Sequence, residues 1–391
     1  MRAPYRLSLF LLSFTLGAAN ASAAYAEYRV TVVGPANSTA SDINSSGVVV
    51  GSYPVSPTAN RAFLNRGKGV VVLGTLGGTS SSTAAINDKG EVLGNWTSAS
   101  GQQRGFIYYN GKQRDIGAVR GRVTRFTDIN NAGYITASGD SAFAPDGTRG
   151  YLRAPGGKYT DIGNLNFPDW PDVPTLNTAL ALNNRNQVTG ESGPYAQPDQ
   201  PLRAILWTKG VLRDLGDFGW SPNGGQAIND KGQITGYMSI PTGIHGRVAF
   251  LYDHGRLINI DGRPDTVEQR SSTGAGINNY GHVVGASDHL SGFIYRGKRI
   301  QSLNALIDPK LGWDIASPEA INDAGQIAAT AYRKGVGYAV RLDLIRPHVL
   351  SAPQLDNDDE AGSLVSPAVT AADARVEAEA QAREVARPVK Q

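Results

Sequence analysis

Apolar and polar positions recur along this chain as one kernel. It is a short strand ending in an apolar residue and asparagine, a polar turn closing on glycine, and an apolar run that ends near a second glycine. Clear copies are Ala85-Ile86-Asn87-Asp88-Lys89-Gly90 followed by Val92-Leu93-Gly94, and Ala227-Ile228-Asn229-Asp230-Lys231-Gly232 followed by Ile234-Thr235-Gly236. Seven copies are present, with their asparagines at Asn44, Asn87, Asn130, Asn183, Asn229, Asn278 and Asn322. Successive spacings are 43, 43, 53, 46, 49 and 44 residues. That period matches one four-stranded propeller blade.

Period-2 runs within each copy predict four strands. In the second copy they fall at 83–87, 92–96, 105–109 and 113–117. The connections Asn-Asp-Lys-Gly and Asn110-Gly111-Lys112 read as hairpin turns, in which glycine takes the positive-φ position. The fourth copy replaces that glycine with Asn186, and asparagine is enriched several-fold among non-glycine residues with positive φ. The seventh copy has a third strand at 338–342 but no fourth before Pro347, while residues 28–34 have no partner in the first copy. The pattern therefore predicts an all-β, seven-bladed β-propeller of four-stranded blades, with residues 28–34 closing the last blade as its outermost strand. Closure of that kind ties the two ends of the ring together and leaves only short, protected sheet edges.

Composition sharpens this picture. Glycine is abundant at 47 of 391 residues, as short strands and tight turns require. A formal charge of +3 makes no case for a nucleic-acid or anionic-membrane partner. Arg2 and Arg6 precede an apolar run at 7–17 and small residues at Ala21-Ser22-Ala23, which reads as a cleaved secretory signal. The expected organisation is a signal over 1–26, the propeller over 27–349 and a solvated, partly helical tail over 350–391. The product is expected to be periplasmic or extracellular, without stable membrane insertion, and monomeric. There is no cysteine, hence no disulfide, thiol nucleophile or Cys-ligated metal.

The repeat also carries a resemblance. Gly74-Thr75-Leu76-Gly77-Gly78 leads the second kernel, and third strands read Arg61-Ala62-Phe63-Leu64, Arg104-Gly105-Phe106-Ile107-Tyr108, Arg203-Ala204-Ile205-Leu206-Trp207 and Ala249-Phe250-Leu251-Tyr252. These copies resemble the bacterial extracellular HAF-repeat family, named for its His-Ala-Phe motif, over about residues 28–344. The family's histidine is mostly arginine here. The resemblance implies a repeat fold and export, and it implies no catalytic residue.

In an up-and-down blade, the first-to-second and third-to-fourth turns share one face, and the remaining connections share the other. The blade-to-blade loops at 117–127, 163–178, 216–225, 261–274 and 303–318 are long and individual, so that second face is the expected binding face. Three of these loops place tryptophan beside aspartate: Asp169-Trp170-Pro171-Asp172, Asp217-Phe218-Gly219-Trp220 and Trp313-Asp314. Aromatic plates flanked by carboxylates suit sugar rings or cationic groups; the plainer reading is that these indoles plug gaps between blades. Arg61, Arg104, Arg149 and Arg203 recur at the starts of third strands, where they form either a partial anion-binding ring or pairs with carbonyls and with the Asp of Asp-Ile-Gly.

No constellation spells a reaction. His245, His254, His282, His289 and His348 show no metal-ligand spacing, there is no GxSxG elbow, and Asn-Asp-x-Gly lacks the alternating carboxylates of a calcium loop. No cofactor is expected. The expected function is an exported binding module for a glycan, small molecule or envelope protein. The alternatives are a glycan-cleaving hydrolase or lyase using Asp169, Asp172 and Asp217, and a structural component of the cell envelope.

Overall fold

The computed structural model describes residues 26–119, 124–140, 148–169, 173, 175–194, 202–219, 221–240, 246–262 and 271–345. The signal-like segment up to residue 25 and the tail from 346 lie outside these residues. The fold is a seven-bladed β-propeller of four-stranded antiparallel sheets. In blade 2 the strands are Ser80–Ile86, Val92–Thr97, Gln103–Tyr109 and Lys112–Gly117, longer by a residue or more than the alternation alone suggests. Inner strands touch in chain order, and the inner strand of blade 7 touches that of blade 1.

Blade 7 is built from both ends of the propeller. Its first three strands are Trp313–Ile321, Ile327–Arg333 and Val336–Leu344, and its outermost strand is the N-terminal Tyr28–Ala36. Tyr28 pairs with Leu344 and Val32 with Val340. The expected closing strand is therefore present and extends two residues further.

The core lies between blades. One apolar cluster joins Val50, Ala62, Leu64 and Leu73 of blade 1 to Ile86, Val92, Trp96 and Phe106 of blade 2. Third-strand phenylalanines Phe63, Phe106, Phe250 and Phe293 are fully buried. These rings, together with inner-strand carbonyls, account for the glycine within the second strand. A Cβ on Gly94 would lie 2.3 Å from the Phe106 ring and 2.4 Å from the Ser82 carbonyl. The kernel turn needs positive φ throughout, from Gly325 at 75° to Gly232 at 83°, and Asn186 meets it at 59°.

The kernel asparagines build a closed ring. Each side-chain Nδ2 donates to the main-chain carbonyl of the next kernel asparagine. The links run from Asn44 to Asn87 (3.2 Å), then to Asn130 (3.1 Å), Asn183 (3.0 Å), Asn229 (3.0 Å), Asn278 (2.9 Å) and Asn322 (3.2 Å). Asn322 returns to Asn44 at 3.0 Å. The same side chains cap their own turns; Asn183 Oδ1, for example, accepts from Arg185 and Gln187 N–H. The residue after each asparagine adds a second, open relay. Ser45 N–H donates to Asp88, Asp88 to Asn131, Asn131 to Asn184, Asn184 to Asp230, Asp230 to Asn279 and Asn279 to Asp323. The Asn-Asp pair thus joins neighbouring blades.

Candidate functional site

Every inner strand carries a bulge at the same place. The register shifts between Ala40 and Asp42, Thr83 and Ala85, Phe126 and Asp128, Ala179 and Ala181, Gly225 and Ala227, Gly274 and Gly276, and Pro318 and Ala320. The extra residue lies three before the kernel asparagine, and a bulge re-aims its side chain out of the ladder. Those residues are Ser41, Ala84, Thr127, Leu180, Gln226, Ala275 and Glu319. All but Ala275 line an axial cavity of about 860 Å³. Thr39, Ser82, Arg125 and Ser317, two residues earlier, line it nearer the long-loop rim. Asn95, Gln103, Thr330 and Tyr332 complete a polar mouth, and Tyr332 presents its ring there at 47% exposure.

Glu319 is the one carboxylate among the described lining residues. It accepts a hydrogen bond of 2.6 Å from the Ser317 hydroxyl. Burial raises its pKa, and that hydrogen bond only partly opposes the rise. Arg125 is exposed and makes no ion pair among the described residues. No two carboxylates converge among the described residues of the mouth.

Two further carboxylates sit deeper, between inner strands. Asp42 accepts from Ile43 N–H (2.7 Å) and, across the seam, from Ile86 N–H (2.8 Å). Asp128 does the same with Ile129 (2.7 Å) and Leu182 (2.8 Å). Burial, with Asp128 nearby, pushes Asp42 up to about 8. Burial pushes Asp128 up to about 6 against its two backbone hydrogen bonds. Both tie blades together.

The residues singled out by sequence scatter. Trp170, Asp172 and Trp220 lie outside the described residues. Asp169 is exposed. Trp313 is half-buried, edge-on to Tyr338 with centroids 5.7 Å apart, with Arg333 5.3 Å from its ring centroid. Asp314 accepts from Asn304 at 2.9 Å. Asp217 caps Gly219 N–H at 2.7 Å and is ion-paired with Arg203.

The recurrent arginines are occupied within the scaffold. Arg61 donates to the Asn60 and Thr79 carbonyls, both at 2.9 Å. Arg104 bonds Asp115 (Nε–Oδ2 3.0 Å) and lies 5.7 Å from the Trp96 ring centroid. Arg149 lies 3.9 Å from Asp161, and Arg203 3.9 Å from Asp214 as well as against Asp217. Burial alone would raise the Asp115 carboxyl, but the hydrogen bonds from Arg104 and Gly117 N–H outweigh it and lower its pKa. The Arg104–Asp115, Arg149–Asp161 and Arg203–Asp214 pairs join third to fourth strands, on the outer half of blades 2, 3 and 4.

Sequence reading overlooked Glu319, Tyr332 and the bulge tier. The signal was available for the tier, since the position three before each asparagine is the most varied of the strand, next to a nearly constant isoleucine-asparagine end. Connections on the long-loop face are not all long: in blades 1 and 7 the second and third strands are joined by two residues each, 57–58 and 334–335. Among the described residues no group of three or more His, Asp or Glu side chains could hold a metal ion, and no helix is long and apolar enough to cross a membrane.

No protein-family model matches the sequence, and neither does any curated protein. Among solved structures the chain is similar to puromycin hydrolase, at 13% identity and a TM-score of 0.50, over 82% of this chain and 55% of that one. It spans little more than half of the hydrolase. YCF48 from Cyanidioschyzon merolae matches at 11% identity and a TM-score of 0.44, over 81% and 99% of the two chains. TolB from Acinetobacter baumannii matches at 12% identity and a TM-score of 0.42, over 69% and 62%. At such identities the likeness concerns the fold.

Proposed function

We propose that this chain is an exported β-propeller binding module that takes a polar ligand, a glycan, in the axial mouth of its long-loop face. The observation that carries this reading is the bulge tier. Seven blades each free one inner-strand residue from the ladder, and hydroxyl and amide side chains from several blades converge on one cavity. An exposed tyrosine ring at the rim adds a stacking surface, the volume is that of a small-ligand site, and the hydroxyl and amide lining can bond a ligand's hydroxyls. Export is supported by the basic, apolar and small-residue succession at the N-terminus, and by the kernel's resemblance to HAF repeats.

The test is a glycan array probed with the chain lacking residues 1–26, alongside two variants. Gln226→Trp fills the mouth from blade 5 and should cost at least about tenfold in affinity, roughly 1.4 kcal/mol, with an unchanged melting temperature. The triple Trp170/Trp220/Trp313→Ala variant probes the loop tryptophans instead. Binding that survives Gln226→Trp intact, or a blank array, overturns the axial site. The hydrolase reading has no carboxylate pair behind it at the described mouth.

A further inference from the structure

The cavity has two tiers of inner-strand positions, five and three residues before each kernel asparagine. The rim tier is Thr39, Ser82, Arg125, Thr178, Gly224, Thr273 and Ser317, and the deeper tier is the bulge set ending in Glu319. Each tier therefore holds a single charge, a cation above and an anion below. Arg125 stands on the inner strand of blade 3 and Glu319 on that of blade 7. Blades follow chain order around the ring, so the two walls are three steps of seven apart, nearly opposite. The pair does not self-neutralise: Glu319 has Ser317 as its hydrogen-bond partner, and Arg125 has no ion pair among the described residues. The outer strands differ, with Arg104 paired to Asp115, Arg203 to Asp214 and Asp217, and Arg341 to Asp343.

From this arrangement we infer that the axial mouth takes a zwitterionic sugar, with an ammonium against Glu319 and a carboxylate against Arg125. This rests on the axial-site reading above and narrows its ligand class. A carboxylate in a partly desolvated cavity favours a cationic partner, and a guanidinium favours a planar anion that accepts two hydrogen bonds. The hydroxyl and amide groups between them would serve the ring. A neutral glycan would leave both charges without a counterpart, which is the costly outcome in a confined site.

Four monosaccharides separate the contributions: muramic acid carries both charges, N-acetylmuramic acid only the carboxylate, glucosamine only the ammonium, and glucose neither. Titrations followed by ligand-observed NMR should show muramic acid binding at least about tenfold more tightly than glucose, with the singly charged sugars between. Glu319→Gln keeps an acceptor for Ser317 and should erase the advantage of glucosamine over glucose. Arg125→Gln should erase that of N-acetylmuramic acid. Glucose binding as tightly as muramic acid, or variants that leave the order unchanged, overturns the zwitterion while leaving the axial site standing. Failure of all four sugars in a chain that also leaves the glycan array blank removes both.

Discussion

At the residue scale, a kernel asparagine uses both ends of its amide. Asn183 Oδ1 holds two turn N–H groups, and its Nδ2 serves both Gln187 at 2.8 Å and the Asn229 carbonyl at 3.0 Å. Alanine there leaves buried groups unpaired and should cost about 1–3 kcal/mol in denaturant unfolding. Asn183→Asp keeps the acceptor for the turn N–H groups but loses the donor to Gln187 and Asn229, and it should still be destabilised. Asp42 makes a pH prediction. Its folded pKa of about 8 lies above its ordinary 3.8, so its contribution is complete below about 3.8 and is lost as pH rises through about 8. The charges acting on it are Asp128 and Asp88. Asp42→Ala should therefore cost more at pH 5 than at pH 8.5, and a cost that grows with pH would contradict the assignment.

At the scale of the element, the N-terminal strand is the most consequential piece. Without Tyr28–Ala36, the third strand of blade 7 becomes an open edge and Val33 leaves its cluster. A chain starting at Asn37 should self-associate and lose a single sharp unfolding transition, and a peptide of residues 27–36 added in trans should restore it. Calorimetry with and without the peptide checks this. Side chains on these elements differ in weight. Trp313→Ala should cost about 3 kcal/mol by removing packing on Tyr338. Arg104→Ala should cost about 1 kcal/mol or less, because that ion pair is about a third exposed. Strands, turns and closure were legible because a two-residue period and turn glycines are local. The status of Trp313 was not, since its partners Arg333 and Tyr338 lie 20 or more residues away.

At the scale of the whole molecule, the asparagine ring links seven similar sheets in a closed circuit. A seam broken at Asn183 weakens a closed circuit, so amide exchange should accelerate in blades remote from blade 4. Acceleration confined to blades 4 and 5 would show that the seams act independently. The repeat count, the order of blades, the Asn186 turn and the joining of the two ends were determined by sequence alone, because each follows from local backbone preference or from a strand lacking a partner. Which side chains share a surface was decided only by tertiary structure. Arg125 and Glu319 lie 194 positions apart in the chain, and only ring closure with a bulge in every inner strand sets them on opposite walls of one cavity. The recurrent arginines and Trp313, which opens a strand and not a loop, looked like ligand groups for the converse reason: a side chain's partners are set by packing between distant strands, and a one-dimensional pattern does not carry them.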